Sequence, residues 1–138
     1  MLKSFQTGSK LVTHMRDDPD NSHIRDSTLN NNDGTKKAAG EPAVTISGKI
    51  DDAQDFDGVD DYVEVPDSPH WILGGGTGNF AIELWANLAT LTQGGWWTAA
   101  FIAQDEGGGS TNKWIFSWDK DTDKLVFHIN TPAGGVPS

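Results

Sequence analysis

Apolar and polar side chains alternate with a period of two along much of the second half of the chain. The pattern is clearest over residues 79–87, where Phe80 and Ile82 share one face while Glu83 and Trp85 share the other. Alternation of this kind is typical of a β-strand with one face toward a core. Residues 79–87 are therefore predicted to form a strand.

Four shorter segments have the same character and are separated by charged or glycine-rich turns. They cover residues 10–15, 96–103, 114–118 and 125–129. No segment shows the 3.6-residue apolar stripe of an amphipathic helix. Several short strands without helices predict an all-β fold, specifically an antiparallel β-sandwich.

The stretch 55–66 is predicted to be a β-hairpin, because it contains a strand, a turn and a second strand. The dipeptide Asp57-Gly58 tolerates the positive φ angles that a short hairpin connection needs. After it, Val63 and Val65 fall on one face, and Tyr62 and Glu64 fall on the other. The rest of the predicted sheet is expected to be arranged around this hairpin.

A polar loop at residues 26–35 can be interpreted in two ways. Its Asp, Asn, Ser and Thr side chains can fold back onto the backbone as Asx turns and hold the first strand against the sheet. Alternatively, Asp26, Asn30 and Asp33 supply oxygen ligands to a metal. The structural interpretation is favoured, since such a loop needs its side-chain bonds to stay ordered. His14, in the first predicted strand, is either a ligand or, more commonly for a lone histidine, a packed residue.

Several stretches together resemble the opening of a laminin-G-like domain of the concanavalin A-like lectin/glucanase family. They are residues 26–35, Gly48-Lys49-Ile50, residues 53–58, residues 60–67, and the strand with Phe80, Ile82, Glu83 and Trp85. The resemblance implies a jelly-roll sandwich over residues 10–138. Residues 1–9 show no periodicity and are expected to be a disordered lead-in. The resemblance also implies further strands beyond Ile129, so the chain is expected to be the N-terminal portion of the domain, incomplete at its C-terminus.

Composition excludes several classes of partner. The net charge of −10 disfavours nucleic acid, whose binders displace phosphate counterions with basic surfaces. No apolar run reaches the roughly 18 residues needed to span a bilayer, so membrane insertion is not expected. Residues 1–10 lack the apolar core of a signal peptide. Because the family's members are usually exported, the resemblance nevertheless implies an extracellular or cell-surface location within a larger multidomain chain.

The acidic, serine and histidine residues of the chain are not arranged in a known catalytic motif. The four glutamates, Glu41, Glu64, Glu83 and Glu106, are isolated, whereas glycosidases of this fold need paired carboxylates on one strand. There is no Gly-x-Ser-x-Gly elbow and no His-Glu-x-x-His zinc motif. The chain is therefore predicted not to be an enzyme.

Aspartate outnumbers glutamate by 16 to 4, and aspartate suits both turns and calcium. Asp57, Asp60 and Asp61 surround the predicted hairpin turn, where carboxylates can converge. Asp105 and Asn112 flank a glycine-rich loop, at a place where the related pentraxin sandwich has part of its calcium site. These five residues are the predicted calcium ligands, and the alternative is that they are ordinary turn residues.

Six tryptophans suggest a surface for sugar rings, since aromatic faces stack on the apolar face of a sugar. Rings at loop or strand ends are expected to be exposed and to bind carbohydrate; these are Trp71, Trp96 and Trp97. Rings within strands are expected to be core; these are Trp85, Trp114 and Trp118.

Two functional hypotheses follow. The first is a non-catalytic carbohydrate- or surface-binding module of a larger extracellular protein, assisted by calcium, with a glycan or cell-surface polysaccharide as partner. The second is a structural or adhesion spacer of a surface protein that binds no small ligand. An exposed patch of aromatic and polar side chains favours the first hypothesis, whereas a spacer needs only end-to-end contacts.

Overall fold

The computed structural model describes residues 8–73, 79–90, 100–105 and 113–129. Over these residues the chain is all-β, with three small antiparallel sheets and no α-helix, which confirms the predicted fold class at that level. No helix in these ranges is both long and apolar enough to cross a membrane. The chain divides into two compact units, Met1–Asp67 and Ser68–Ser138. Residues 1–7 of the predicted lead-in lie outside the described ranges.

The first unit contains a three-stranded antiparallel sheet in the order β1-β2-β5. Its strands are β1 (His23–Ile24), β2 (Gly34–Lys36) and β5 (Val63–Glu64). Ile24 lies opposite Gly34 in the register. A Cβ atom on Gly34 would come within 2.6 Å of the Val63 side chain, so only glycine allows β2 and β5 to approach this closely.

A second sheet of the same unit pairs β3 (Ala43–Thr45) with β4 (Ala53–Asp55), also antiparallel. Val44 is exposed, whereas its register partner Gln54 is buried, so the buried side of this sheet is partly polar. The sheet therefore contributes hydrogen-bonding groups, as well as apolar area, to the interior of the unit.

The interior of the first unit is built largely on polar contacts. Ile24 is buried to 1% exposure, but the lysine side chain next to it in the sheet, Lys36, is buried completely. The Lys36 ammonium lies 2.9 Å from an Asp17 carboxylate oxygen. The amide of Gln54 donates to the same carboxylate and to the Met15 carbonyl, each at 3.0 Å. These contacts connect strands from both sheets to the segment that precedes β1.

The Asp26 side chain holds the loop that follows β1 through similar polar contacts. One of its carboxylate oxygens accepts from the Val12 and Thr28 backbone N–H groups, and the other accepts from the Thr28 hydroxyl and the Asn32 N–H. The Asp26 N–H in turn donates to Asp33. The predicted structural role of this loop is confirmed, because its side chains satisfy backbone groups on both sides of the turn.

The second unit contains a short 3₁₀ turn, Pro69–Trp71, and a meander of β6 (Ala100–Gln104), β7 (Trp114–Asp119) and β8 (Lys124–Ile129). The predicted strands 114–118 and 125–129 are confirmed, and the predicted strand 96–103 is confirmed from residue 100 onward. Ala100 pairs with Ser117 and Ile102 with Phe116, so a bulge separates the two pairs.

Aromatic side chains hold the second unit together. Trp114 is 6% exposed, and its indole N–H lies within hydrogen-bond distance of the Trp71 carbonyl (2.8 Å) and the Gln104 side chain (2.9 Å). Phe127 on β8 contacts both Trp114 and Phe80, with ring centroids 6.3 and 5.5 Å apart. Trp114 is thus the buried ring that was predicted, and Trp118 is half-buried.

The predicted hairpin over residues 55–66 is wrong. The Asp57-Gly58 turn exists, with φ of 74° at Gly58, and residues 63 and 65 are less exposed than residues 62 and 64. However, β4 pairs with β3 and β5 pairs with β2, so the two flanking strands belong to different sheets. Aspartate side chains hold the turn through their own bonds, and it therefore does not need a ladder between its arms.

Two other strand predictions are also wrong. Residues 79–87 pair with no described strand, and most of them are exposed. Alternating residues give a segment one apolar face, but a strand also needs backbone hydrogen bonds to a neighbouring strand. Residues 10–15 form only a single bridge, between Thr13 and Asp26. There Val12 bonds to the Asp26 side chain, and the φ of 54° at Met15 ends the extended conformation.

Replacing Asp26 with asparagine should destabilise the first unit by at least about 2 kcal/mol, because hydrogen bonds to a charged group each contribute roughly 1.5–3 kcal/mol. Burial opposes ionisation here, yet hydrogen bonds from Thr28, Asn32 and Val12 hold the pKa of Asp26 below its ordinary value. This contribution is present above the unfolded pKa, near 4, and is lost as pH falls through the lower folded pKa.

Urea unfolding at neutral pH and in acid measures both effects. The wild-type protein should lose stability on acidification more steeply than Asp26→Asn. Asp67→Asn is the matched control, because Asp67 is exposed and should leave stability unchanged. Equal stability of the Asp26 and Asp67 variants would contradict the assigned role.

Candidate functional site

The turn after β4 is organised by aspartate side chains. One Asp57 carboxylate oxygen accepts hydrogen bonds from the Val59 N–H at 2.8 Å and the Asp60 N–H at 3.3 Å. The Asp57 N–H donates to Asp61 at 3.0 Å. The backbone N–H of Val59, followed by that of Asp60, lowers the pKa of Asp57, although burial opposes the shift. Asp57 is therefore engaged with its own turn.

Three other carboxylates converge beside this turn. Glu41, Asp60 and Asp61 each present an oxygen within 4.8 Å of the others. Asp61 has one buried carboxylate oxygen with no hydrogen-bond partner among the described residues. Carboxylate oxygens at this spacing are the ligand type that Ca²⁺ prefers. We call Glu41, Asp60 and Asp61 the acidic cluster.

The acidic cluster already contacts one cationic side chain, Lys37. Its ammonium lies 2.6 Å from Asp60 and 3.5 Å from Glu41. The hydrogen bond to Asp60 is the main cause of a raised pKa at Lys37, and the charge of Glu41 adds to it. A metal ion at this position would have to displace the lysine ammonium.

The predicted calcium ligands are therefore only partly brought together. Asp60 and Asp61 lie in one cluster with Glu41, which the sequence analysis did not include, and Asp57 contacts the same turn through its backbone. Asp105 lies in the second unit, where Lys113 pairs with it at 2.7 Å. The fifth predicted ligand, Asn112, lies outside the described residues.

The aromatic residues are also distributed differently from the prediction. Trp71 is half-buried at the end of the 3₁₀ turn and stands edge-on to His70, with ring centroids 6.1 Å apart. Trp96 and Trp97 lie outside the described residues. Trp85 was expected in the core, and this prediction is wrong, because the residue is 67% exposed. Residues 79–87, which contain Trp85, form no strand, so the alternation that predicted an inward-facing ring does not apply.

A polar cavity of about 250 Å³ lies on the first unit. The segment around Thr13 runs antiparallel to the segment around Asp26, as their bridge shows. Alternate residues along these two segments, on either side of Thr13 and Asp26, therefore share one face. The cavity is lined by His14, Arg16, Asp18, Arg25 and Ser27. Because His14 is exposed here, the prediction of a packed histidine is wrong.

Two guanidinium groups meet at this cavity. Asp18 lies 3.6 Å from Arg16 and 3.7 Å from Arg25, measured from its carboxylate oxygen to the nearest nitrogens. Arg16 also donates to Asp51 at 3.3 Å. Neither arginine was predicted as a site residue, although the sequence contains a signal for them. They are the only two arginines in the chain, and they stand before the acidic turn at residues 17–20 and directly after β1, respectively.

Lys37→Met should lower the melting temperature at low ionic strength, because the acidic cluster then loses its cationic partner. At about 1 M salt the Debye length is only about 3 Å, so the difference from wild type should shrink. Thermal unfolding followed by circular dichroism at both salt concentrations measures this. Lys10→Met, at an exposed lysine of the same unit, is the matched control. A loss that is independent of salt, or equal in the control, would contradict the electrostatic explanation.

A scan against protein-family models and searches of curated proteins and solved structures found no match to this chain.

Proposed function

We propose that the chain is a non-catalytic carbohydrate-binding module of a larger extracellular or cell-surface protein, with a concanavalin A-like β-sandwich as its complete fold. The observation that carries the proposal is the exposure of Trp85. Tryptophan is on average among the most buried residues, so a tryptophan residue that is 67% exposed is unusual. An exposed tryptophan carries a flat apolar ring, and such a ring can stack on a sugar.

The neighbours of Trp85 suit a sugar as well. Glu83 and Asn87 are exposed on either side of it along the chain, and their carboxylate and amide can bond to hydroxyl groups. An aromatic ring with flanking polar groups binds a hydrated, partly apolar ligand better than a purely polar surface does. Trp71, Trp96 and Trp97 remain further candidates for the same surface.

The alternative is a structural or adhesion spacer. A spacer needs surfaces that contact neighbouring domains, and Leu84, Leu88 and Phe80 are exposed in the same segment. The polar residues beside Trp85 favour a hydrated ligand over a dry interface, which is why binding is proposed first. A carbohydrate-binding module should be retained by a glycan, whereas a spacer should not.

Calcium belongs to the proposal as an assisting ion at the acidic cluster. Three carboxylates within 4.8 Å supply oxygen ligands of the type calcium takes, and one buried oxygen of Asp61 has no hydrogen-bond partner within the described part of the chain. The ion would replace the Lys37 ammonium and stabilise the turn beside β5. Asp57 assists by holding that turn, and Asp105 and Asn112 are further candidate ligands in the second unit.

Trp85→Ala should weaken retention on a polysaccharide by at least about tenfold, corresponding to about 1.4 kcal/mol. The measurement is affinity electrophoresis in gels containing β-glucan, xylan or soluble chitin, with the wild-type protein first used to find the retaining polymer. Leu88→Ala is the matched control, because it removes apolar area from the same exposed segment without removing a ring. Equal effects of both variants, or no retention of wild type by any polymer, would favour the spacer.

Calcium should raise the melting temperature of the wild-type chain, because a ligand that binds the folded state stabilises it by mass action. Asp61→Asn should abolish the rise, since it removes the carboxylate with the unpartnered oxygen. Asp121→Asn, in the exposed turn before β8, is the control and should keep the rise. Thermal unfolding with millimolar CaCl₂ and with EDTA measures the effect. A calcium-indifferent transition would remove calcium from the proposal.

A further inference from the structure

The cavity of the first unit concentrates the chain's arginines on one small surface. The protein carries ten basic against twenty acidic residues, and both arginines line this one cavity. Arginine presents a planar fork of N–H donors that matches a carboxylate in two parallel hydrogen bonds, which lysine cannot do. The cavity lining therefore carries basic charge, and its N–H donors have a geometry that is specific for carboxylates.

The donors of these arginines are largely unused within the described part of the chain. Arg25 approaches Asp18 only to 3.7 Å, which is beyond hydrogen-bond length, and makes no shorter polar contact there. Arg16 donates one hydrogen bond, to Asp51, and its other end approaches Asp18 at 3.6 Å. Their side chains are 50% and 59% exposed for Arg16 and Arg25 respectively, so a ligand can reach them.

Asp18 defines the geometry between the two guanidinium groups. At 3.6 and 3.7 Å it attracts both by charge without saturating their N–H groups. Its backbone N–H donates to the His23 carbonyl at 3.0 Å, which fixes the carboxylate relative to β1. Its oxygens can also accept hydrogen bonds from the hydroxyl groups of a ligand, because an ionised carboxylate is a hydrogen-bond acceptor.

We propose that this cavity binds a uronate, that is, the carboxylate of an acidic sugar together with its neighbouring hydroxyl groups. The arginine forks take the carboxylate, while Asp18, Ser27 and His14 take the hydroxyls. A volume of about 250 Å³ lies just below the range of roughly 300–1,000 Å³ typical of drug-sized ligands, which suits a single sugar unit. A simple inorganic anion would leave the hydroxyl-binding groups unused.

This site is independent of the proposed Trp85 surface. Every residue that lines it belongs to the first unit, whereas Trp85 belongs to the second. The uronate site survives even if no neutral polysaccharide binds, and the Trp85 surface survives if no uronate binds. Variants at Arg25 and at Trp85 therefore test the two proposals separately.

The test is isothermal titration of the whole 138-residue chain with sodium glucuronate, with glucose and with inorganic phosphate, at fixed ionic strength. Glucuronate should bind measurably, and glucose and phosphate should each bind at least about tenfold more weakly. An oligouronate titrated in parallel distinguishes a free sugar acid from a glycan, because tighter binding of the oligomer indicates that the site takes uronate units of a polymer. Absence of glucuronate heat, or phosphate binding as strong as glucuronate, would overturn the proposal.

Arg25→Gln should weaken glucuronate binding by roughly tenfold or more, because a charge-assisted fork is lost. Arg16→Gln is the second variant and should act in the same direction. Lys10→Gln is the matched control, since it removes the same charge from an exposed position of the same unit. Thermal unfolding confirms that each variant is folded. Equal weakening by Lys10→Gln would show general charge attraction and would overturn the assignment to the cavity.

Discussion

A lysine side chain with no solvent exposure determines how the first unit is put together. Transferring an ammonium group from water to a protein interior is costly unless it is paired and hydrogen-bonded. Lys36 meets this requirement through Asp17, and Asp17 also accepts from Gln54 on β4. Breaking a buried pair of this kind typically costs about 3–5 kcal/mol, so the pair fixes the relative positions of both sheets and of the segment before β1.

The polar interior explains which parts of the fold the sequence could predict. Asx turns depend on a few neighbouring residues, so the loop around Asp26 was predictable from local chemistry. The β7-β8 meander was predictable for a similar reason, because its strands are adjacent in the chain and joined by a short acidic turn. In the β4 to β5 stretch, local chemistry predicted the turn at Asp57 but could not identify the strands that pair with its two arms.

The candidate sites show the same division between local and long-range information. Asp60 and Asp61 are neighbours in sequence and were predicted to act together, whereas Glu41 joins them through long-range strand pairing, of β2 with β5 and of β3 with β4. Trp85 was assigned to the core from its alternation with apolar residues, although burial depends on whether another strand packs there. Arg16 and Arg25 come together because two segments run antiparallel, a relation that no single motif records.

The buried pair also connects the interior to the arginine cavity. Asp17 points inward to Lys36, so its neighbours in the chain, Arg16 and Asp18, are directed to the outer side, where they line the cavity. The same alternation operates on the opposing segment, where Ile24 is buried and Arg25 is exposed. Two arginines and a carboxylate can thus be held in one geometry at the surface, although both arginine side chains are about half exposed. Their alignment is set by the charges and apolar groups on the other side of the same two segments, so the polar core that replaces a large hydrophobic one also preorganises the binding surface.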